Sequence, residues 1–305
     1  MTADDTTTGE ATPAVSVVIP IGGIDEFLPE QLCALAAQDF DRPFELILSM
    51  NQAGLVHDPA VADPPLHPLA TLRVVDSSTE RSAAHARNVG ARAAHAPLLA
   101  FCDADDIVEP NWLSALVDEL GRHEVVGGFL DERRLSPAGQ ERWRPPATPG
   151  ELPAYLGHAY PVSANMAARR SAFDAVGGFT EGLTRCEDIA FGWALADAGI
   201  ELAYAPDAVV HYRHRPGLWT MVRQHHMYGI GMSEVIVRQG LPGRGGPDGE
   251  GGHRPGLLAA NKQRVTQRSL IHILRRGAIA SGRVRGLVQE RARLLTRRDA
   301  AQPAR

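Results

Sequence analysis

The segment PLLAFCDADDIVEPNWL, residues 97–113, contains the most informative pattern of this chain. Its apolar run, residues 98–102, is typical of a strand that is buried on both faces of a parallel sheet. Three carboxylates follow at once: Asp103, Asp105 and Asp106. Like charges this close repel one another unless a cation joins them. The segment therefore predicts a buried strand that ends at a cation-binding site.

Strand and helix patterns alternate on the amino-terminal side of this segment and just beyond it. Strands are predicted at 15–20, 44–50, 72–76 and 98–102, and helices at 25–38, 80–96 and 110–122. This alternation indicates βαβ units and a mostly parallel sheet. Ligands of such sheets bind beyond the carboxyl ends of the strands, which is where the three carboxylates fall.

The second half of the chain is less regular. Residues 160–179 predict a strand, a short helix and a glycine turn, and residues 186–199 predict a helix. Residues 202–215 read as a strand pair or an extended segment. Residues 217–236 have helical spacing, with Trp219, Met221, Val222 and Met227 expected to pack inward.

The composition is that of an ordinary globular protein. The 305 residues are 44% hydrophobic and 22% charged, and the formal net charge of −5 does not indicate a nucleic-acid partner. The three cysteines lack metal-type spacing, the acidic N-terminus is unlike a signal peptide, and no apolar run reaches about 20 residues. We therefore expect a cytoplasmic protein.

Positive charge is concentrated toward the C-terminus. Residues 254–305 carry 13 Lys and Arg but only two acids, Glu290 and Asp299. We expect a disordered stretch at 1–13, one domain at 14–235, a Gly/Pro-rich linker at 236–256 and a basic helical extension at 257–305. The extension could lie on the inner face of a membrane as a peripheral contact, pack against the domain or another subunit, or be a solvated helix.

Two acidic pairs could carry chemistry. Asp103 and Asp105 are two residues apart in an extended segment, so their side chains share one face and can hold Mg²⁺ or Mn²⁺. The alternative is a helix cap or an acidic turn. Glu187 and Asp188 open a predicted helix, where acids are expected on electrostatic grounds, but an Asp in a cleft can also act as a general base.

Basic residues offer further candidates. His211 is either a structural histidine or a metal ligand. Arg81 and Arg87 could reach a diphosphate or form surface ion pairs, and the group Arg213, His214 and Arg215 could bind phosphate or form a surface patch. Neither a Walker A loop, a G-x-G-x-x-G turn nor a G-x-S-x-G elbow occurs in the sequence, which argues against P-loop NTPases, nicotinamide enzymes and α/β-hydrolases.

Taken in order, the motifs resemble those of the family 2 glycosyltransferases of GT-A fold. The motifs are SVVIP, EQLCALAAQDFDRPFELIL, ARNVGARAA, LLAFCDADDIVEPNWLSALV, NMAARRSAFDAVGGFTEGL, CEDIAFGWAL and HYRHR, within residues 14–235. The resemblance implies an α/β fold: a mostly parallel sheet flanked by helices, with a Rossmann-like nucleotide half, an acceptor half and, here, a C-terminal helical extension.

The resemblance also implies an inverting, metal-dependent transfer of sugar from a nucleotide-sugar to an acceptor hydroxyl. Asp103 would contact the ribose, Asp105 would hold Mg²⁺ or Mn²⁺ at the diphosphate, and His211 would complete the metal shell. Asp188 would be the base, with Glu187 beside it. The donor-binding residues expected on this basis are Pro20, Asn51, Arg81, Arg87, Asn88 and Asp103.

The chain departs from the family pattern in two places. Ile21-Gly22-Gly23 follows the first strand in place of the family's Thr-Tyr-Asn, and Met50-Asn51 stands where the family has a base-reading Asp. Two alternatives follow: a catalytically silent nucleotide- or glycan-binding protein of the same fold, and a nucleotidyltransferase. The sequence names neither the sugar, the nucleotide nor the acceptor.

Overall fold

The computed structural model describes residues 12–136, 150–240 and 267–300. Eight strands form one sheet: β1 Val15–Ile21, β2 Phe44–Met50, β3 Ala70–Asp76, β4 Leu98–Cys102, β5 Ile107–Val108, β6 Val125–Asp131, β9 Asn165–Arg169 and β10 Leu202–His211. A small hairpin consists of β7 Ala154–Tyr155 and β8 His158–Ala159. The helices are α1 Leu28–Ala36, α2 Pro59–Ala62, α3 Ala83–Ala93, α4 Trp112–Leu120, α5 Arg170–Ala175, α6 Glu187–Ala198, α7 Leu218–Gln239 and α8 Gln267–Ala300.

The strand order of the large sheet is β3-β2-β1-β4-β9-β6-β10-β5. β3, β2, β1 and β4 are parallel, and so are β6 and β10, whereas β9 and β5 are antiparallel to their neighbours. The order reverses between β1 and β4, which leaves a crevice beyond their carboxyl ends. The expected mostly parallel sheet flanked by helices is confirmed.

Two apolar layers cover the sheet. Alternate residues of β1 face opposite layers: Val17 and Ile19 pack with α1 and α4, while Val18 packs with α3, α5 and α6. Gly90 lets α3 approach closely, because a Cβ there would lie 2.4 Å from Val18. These layers hold α3 and α6 over the crevice.

Strand β6 has no counterpart among the sequence predictions. Its segment, VVGGFLD, contains two glycines that weaken the strand pattern. Gly128 is required by packing, since a Cβ there would lie 2.4 Å from the carbonyl of Ala208 and from the side chain of Asn165. The same glycine that weakens the strand pattern in the sequence therefore allows the close packing of β6 with β10.

Residues 202–211 form one strand, β10, rather than the strand pair that the sequence left open. Its register against β6 shifts between Ala205 and Val209. This irregularity carries β10 onward to pair with the short strand β5, His211 opposite Ile107. The chain that follows β10 therefore meets the turn that follows β4.

Helices α7 and α8 run side by side in the same direction, since His226 contacts Ser281 and Arg238 contacts Glu290. The expected domain limit at residue 235 falls inside α7, and the basic extension forms the single helix α8. Residues 1–11, 137–149, 241–266 and 301–305, with most of the expected N-terminal stretch and linker, lie outside the described residues. In the described parts, no helix combines the length and hydropathy that a membrane span needs.

Candidate active site

Asp103, Asp105 and Asp106 lie together at the carboxyl end of β4. One carboxylate oxygen of each lies within 4.8 Å of those of the other two. Gln31 of α1 fastens this turn: its side-chain amide donates to the carbonyl of Asp103 (3.0 Å), and its oxygen accepts from the amide of Val108 (3.1 Å). The turn after β4 is therefore held in place from α1.

Asp106 is the buried member of the group, with 1% of its surface exposed. Its Oδ1 accepts from the backbone amide of Arg213 (2.8 Å), whereas its Oδ2 has no hydrogen-bond partner among the described residues. The Arg213 guanidinium donates to the carbonyl of Asp105 (2.9 Å) and pairs with Glu30 (2.6 Å). Arg213 thus ties this turn to the chain after β10.

The pKa values of Asp105 and Asp106 reflect the excess of negative charge in this group of three carboxylates. Burial, and then the charge of Asp103, raises the pKa of Asp105 to about 6. The same two causes raise the pKa of Asp106 well above its usual value. A buried carboxylate oxygen without a partner, beside two more carboxylates, is an all-oxygen donor set that fits a hard divalent cation such as Mg²⁺ or Mn²⁺.

Arg87 joins this group to the second acidic pair. It is 3% exposed, and it pairs with Asp103 through Nη2 (2.6 Å) and with Glu187 through Nη1 (3.1 Å). Burial disfavours the cation, but the two carboxylates outweigh burial and raise the pKa of Arg87. Helix α3 carries Arg87, and the Ser82 hydroxyl caps that helix by accepting from the amide of His85 (3.1 Å).

Glu187 and Asp188 form the first turn of α6. The backbone amide of Ser163 donates to Asp188 Oδ1 (3.2 Å). Burial, and then the charge of Glu187, raises the pKa of Asp188 to about 7. A carboxylate with this pKa can accept a proton near neutral pH and hold it.

Helix α7 holds the loop that leads into α6. Buried Glu234 accepts from the amide (2.6 Å) and the hydroxyl (2.7 Å) of Thr184. Gly231 lets α7 lie against the loop, because a Cβ there would be 2.4 Å from the carbonyl of Arg185. Cys186 has φ +70°, a left-handed conformation that a non-glycine residue keeps only where its surroundings enforce it.

A cavity of about 1280 Å³ opens between the sheet edge, α6, α7 and α8. It contains both acidic groups, Asp103 and Asp105 on one side and Glu187 and Asp188 on the other. Two further acids, Glu132 and Glu151, line it as well. Its aromatic and basic lining residues include Tyr160, Tyr204, Tyr212, Trp219, Tyr228, Arg185, Arg213, His214, Arg215, Arg223, His225 and Arg275. The volume is large enough for two substrates at once.

His211 lies apart from the three carboxylates. Its Nε2 contacts Glu109, and its Nδ1 is 2.9 Å from Asp131. His214, three residues further on, lines the cavity instead, with Nε2 at 3.0 Å from Glu132. The sequence offered two histidines in one short run, and among the described residues His214 lines the cavity whereas His211 does not.

Asn51 and Arg81 lie at the end of β2, on the nucleotide half of the sheet. The Asn51 amide donates to the carbonyls of Ser77 (2.8 Å) and Glu80 (2.7 Å), so it orders the loop before α3. The exposed Arg81 side chain donates to Gln52 (3.0 Å). These contacts of Asn51 and Arg81 are within the protein, and neither residue is among those that line the cavity.

Asn88 holds the glycine turn after α5. It donates to the carbonyl of Phe179 and to Glu181 (both 2.8 Å) and accepts from the Phe179 amide (2.9 Å). Gly178 has φ +70°, and a Cβ there would lie 2.7 Å from Asn88. Pro20 is half-buried and is the second-last residue of β1.

Among the cavity residues that the site prediction missed are Arg185, Arg223, Arg275 and Trp219. The prediction that Trp219 packs inward is wrong, because 79% of its surface is exposed; Met221 is buried as expected. Arg275 lies on α8, far along the chain from any motif, so only the charge concentration of the tail could have drawn attention to it.

The family model "Glycosyl transferase family 2" matches residues 16–177, which is more than half of the chain. This chain belongs to glycosyl transferase family 2. A second model, glycosyl transferase family group 2, matches residues 153–280. The family match covers the strands and turns that bring Arg87 to the three carboxylates.

Two curated relatives and one solved structure are among the proteins that this chain resembles. Pre-mycofactocin glycosyltransferase of Mycobacterium tuberculosis is 27% identical over 55% of this chain and 37% of its own length. O-antigen biosynthesis protein RfbC of Myxococcus xanthus is 27% identical over 66% of this chain and 17% of its own. The chain thus spans well under half of either relative.

The solved structure is mannosyltransferase PcManGT from Pyrobaculum calidifontis, in complex with GDP-Man and Mn²⁺. It matches 96% of this chain and 77% of its own, with a TM-score of 0.54 and 19% identity. At this identity the likeness shows the fold, which is of GT-A type.

Proposed function

We propose that this family 2 chain is a metal-dependent, inverting glycosyltransferase, which moves a sugar from a nucleotide-sugar to an acceptor hydroxyl. One observation carries the proposal: Arg87 joins Asp103, on the cation-binding side of the cavity, to Glu187, which is adjacent to Asp188. An all-oxygen cation site and a carboxylate of pKa about 7 in one cavity are what this reaction requires.

Asp103 and Asp105 would hold the divalent cation, Mg²⁺ or Mn²⁺. When bound, the cation supplies positive charge that offsets the negative charge growing on the leaving nucleoside diphosphate. His214 lines the same cavity, so we assign the imidazole of this site to His214 in place of His211. Arg215 also lines the cavity and offers a guanidinium to the diphosphate. The GDP-Man and Mn²⁺ in the P. calidifontis structure belong to the ligand class proposed here.

Asp188 would take the proton of the acceptor hydroxyl as that oxygen attacks the anomeric carbon. The leaving diphosphate would sit toward Asp103 and Asp105, and the base lies at the start of α6 across Arg87. Attack and departure on opposite sides of the anomeric carbon invert its configuration. Glu187 keeps Arg87 in place and, through its charge, raises the pKa of Asp188.

Met50 and Asn51 stand where the family has a base-reading Asp. Met50 is fully buried, and Asn51 uses its amide on two backbone carbonyls. This feature favours the second candidate, a silent nucleotide- or glycan-binding protein. In that case the nucleotide would contact the surface shaped by Pro20, Asn51, Arg81 and Asn88 without hydrogen bonds to their side chains. The described contacts of these side chains are within the protein or absent.

A turnover assay with Mn²⁺ and a panel of nucleotide-sugars separates the two candidates. An enzyme releases nucleoside diphosphate above background, whereas a silent protein does not. We expect Asp188→Asn to abolish turnover and leave the dissociation constant of the nucleoside diphosphate within about twofold of wild type. Asp105→Asn should weaken Mn²⁺-dependent nucleotide binding by roughly tenfold or more. Full turnover by Asp188→Asn would exclude it as the base.

We also propose a peripheral membrane contact through the outer face of α8. Five exposed apolar residues recur along this face: Ile273, Val284, Leu287, Val288 and Leu294. Exposed Arg285 lies at the side of this row and exposed Arg291 lies within it, and the buried Glu290 is paired with Arg238 and Arg293. An apolar stripe with a basic border complements an anionic lipid surface.

A further inference from the structure

A second group of metal-type side chains lies outside the catalytic cavity. Glu80, His85 and Glu181 each offer one ligand atom, and these three atoms lie within 4.8 Å of one another. None of the three residues lines the cavity, and none has a role in the reaction described above. Unlike the three carboxylates at the end of β4, this group includes an imidazole nitrogen. It therefore has a different donor set in a different place.

The three residues come from two segments that are distant in the chain. Glu80 lies in the loop between β3 and α3, His85 lies in the first turn of α3, and Glu181 lies between α5 and α6. His85 Nδ1 is 3.1 Å from Glu181 Oε2. The backbone amide of Gly182 donates to Glu80 Oε1 (3.3 Å). Tertiary structure thus brings the three side chains to one point.

Both carboxylates are oriented by neighbours outside the group. Asn88 donates to Oε1 of Glu181 (2.8 Å). The Ser82 hydroxyl donates to Oε1 of Glu80 (3.1 Å). In each case Oε1 takes the outside hydrogen bond, and Oε2 takes none from outside the group among the described residues. Hydrogen bonds of this kind orient the carboxylates of metal sites.

Thr79 orients the imidazole in the same way. Thr79 Oγ1 is 2.9 Å from His85 Nε2, and the His85 side chain is only 12% exposed. A hydroxyl can accept as well as donate, so Nε2 can carry the ring proton and donate to Thr79. Nδ1 then has its lone pair on the side of Glu181. A metal-bound histidine almost always donates a hydrogen bond from its other ring nitrogen.

The group carries negative charge that no arginine of the described chain contacts. Glu181 has His85 as its ion-pair partner, and Glu80 has no ion pair among the described residues. Arg92 influences Glu181 only at longer range. When the imidazole is neutral, the two carboxylates present two negative charges to a cation. The alternative is a hydrogen-bonded surface pair of His85 and Glu181, which needs no ion.

We propose that Glu80, His85 and Glu181 form a second metal site, which binds Zn²⁺. One imidazole nitrogen with two carboxylate oxygens suits Zn²⁺, whereas Mg²⁺ prefers oxygen ligands alone. Water would take the fourth tetrahedral position. The site is separate from the proposed transfer reaction, and it would bind Zn²⁺ whether or not the chain is an enzyme.

The ion would join two segments that lead to the candidate active site. Asn51 donates to the carbonyl of Glu80 (2.7 Å), so Glu80 belongs to the loop that Asn51 orders. Glu181 precedes the loop that enters α6, where Asp188 lies. Because only the folded chain brings the three ligands together, Zn²⁺ should stabilise the fold by an amount that grows with its free concentration.

Calorimetric titration of the untagged full chain with ZnCl₂ tests the site. We expect a Zn²⁺ site that excess Mg²⁺ in the buffer does not displace. Glu80→Gln and His85→Gln should each weaken Zn²⁺ binding by roughly tenfold or more, since even the loss of an outer partner of a metal ligand costs about 10- to 100-fold. Zn²⁺ should raise the thermal unfolding midpoint of wild type and not that of His85→Gln. Glu80→Gln keeps the size of the side chain and one oxygen acceptor, which makes it the variant with the smaller effect on the fold.

Glu119→Gln is the matched control. Glu119 also lies beside a histidine, His123 (3.9 Å), but in the described parts of the chain no third ligand completes a group with this pair. Its Zn²⁺ affinity should equal that of wild type. Asp105→Asn should also keep the Zn²⁺ site, because Asp105 belongs to the other group of carboxylates.

Three results would overturn the site. They are the absence of Zn²⁺ binding by wild type, equal affinities of wild type, Glu80→Gln and His85→Gln, and loss of Zn²⁺ binding in Asp105→Asn with retention in Glu80→Gln. None of these measurements involves a nucleotide-sugar, so a negative turnover assay would leave the Zn²⁺ site in place.

Discussion

At the scale of single residues, the candidate site depends on one buried cation among several acids. Arg87 pairs with Asp103 and Glu187, and its charge lowers the pKa of Asp188 against the effects of burial and of Glu187. Without this cation the two sides of the cavity would repel each other. Arg87 is thus a positioning residue for both.

The pH dependence of turnover follows from Asp188. Its pKa is raised to about 7, so the base is protonated below pH 7 and ionised above it. We expect kcat to rise about tenfold per pH unit below pH 7 and to level off above it, as measured with saturating donor and Mn²⁺. A profile that is flat between pH 5.5 and 8 would contradict the assignment of Asp188 as the base.

Replacing Arg87 should move this profile. Arg87→Gln removes the cation that lowers the pKa of Asp188, so the rise in kcat should shift to higher pH, with a lower plateau. Arg92→Gln, a change of an exposed arginine on the same helix, should leave the profile in place. An Arg87→Gln profile that superimposes on wild type after scaling would show that Arg87 does not influence the base.

At this scale the sequence located the acids but could not assign the basic residues. Three acids directly after a buried strand are a local pattern, so Asp103, Asp105 and Asp106 lie together as expected. His211 and His214 are three residues apart in one extended run, and nothing local tells which faces the cavity. In the structure His214 lines the cavity, whereas His211 contacts Glu109 and Asp131, which are far from it in the chain.

At the scale of elements, the contact with the tightest steric requirement is the interface between α7 and α8, called the seam below. Gly229, Gly282 and Gly286 allow backbone to approach backbone there. Through this seam α8 supports α7, and α7 in turn holds the loop before α6 by the contact of Glu234 with Thr184. The C-terminal helices are therefore structural supports of the acidic pair at the start of α6.

Two alanine substitutions within α8 test the seam. Gly282→Ala puts a Cβ 2.0 Å from the carbonyl of His226 and should destabilise the fold by about 1–3 kcal/mol. Gly277→Ala, in the same helix with nothing within 4 Å of its Cβ, should instead stabilise it by about 0.5–1 kcal/mol. Urea unfolding measures both. Shifts of the same sign and size would mean that the seam is not closely packed.

Element prediction from sequence worked where the pattern is long and regular. β2 and β4 were predicted at their observed limits, since β4 is a continuous apolar run and β2 is apolar except for Glu45 and Ser49. β6 was missed because Gly127 and Gly128 interrupt its hydrophobic pattern. Gly128 is required because a side chain there would clash with the carbonyl of Ala208 and the side chain of Asn165. A residue chosen for a tertiary contact carries no strand signal of its own.

At the scale of the whole molecule, the walls of the cavity come from distant parts of the chain. The turn after β4 and helix α6 supply acids, α3 supplies Arg87, and α7 and α8 supply further arginines and aromatic residues. The outer face of α8 is apolar with a basic border. If that face lies on a lipid surface, the exposed Trp219 at the start of α7 and the cavity beside it would be near the same surface.

Vesicle flotation tests the membrane contact. We expect binding to vesicles with 30% phosphatidylserine that weakens with added salt, because Arg285 and Arg291 interact with anionic headgroups. Val284→Glu with Leu287→Glu should abolish it by placing charges in the apolar stripe. Leu66→Glu, a change of an exposed leucine distant in sequence from α8, is the control and should float as wild type does. Equal flotation of all three proteins would contradict the contact.

The sequence by itself determined the order of strands and helices in the nucleotide half and the acids at the end of β4, because periodicity and runs of like charge are local properties. It also indicated the family, since motif order along the chain survives where single motifs are weak. Tertiary structure alone decided which histidine faces the cavity, where Arg87 makes its two ion pairs, and that α8 contributes to the cavity wall. Each of these depends on contacts between residues far apart in the chain, which no window of sequence contains.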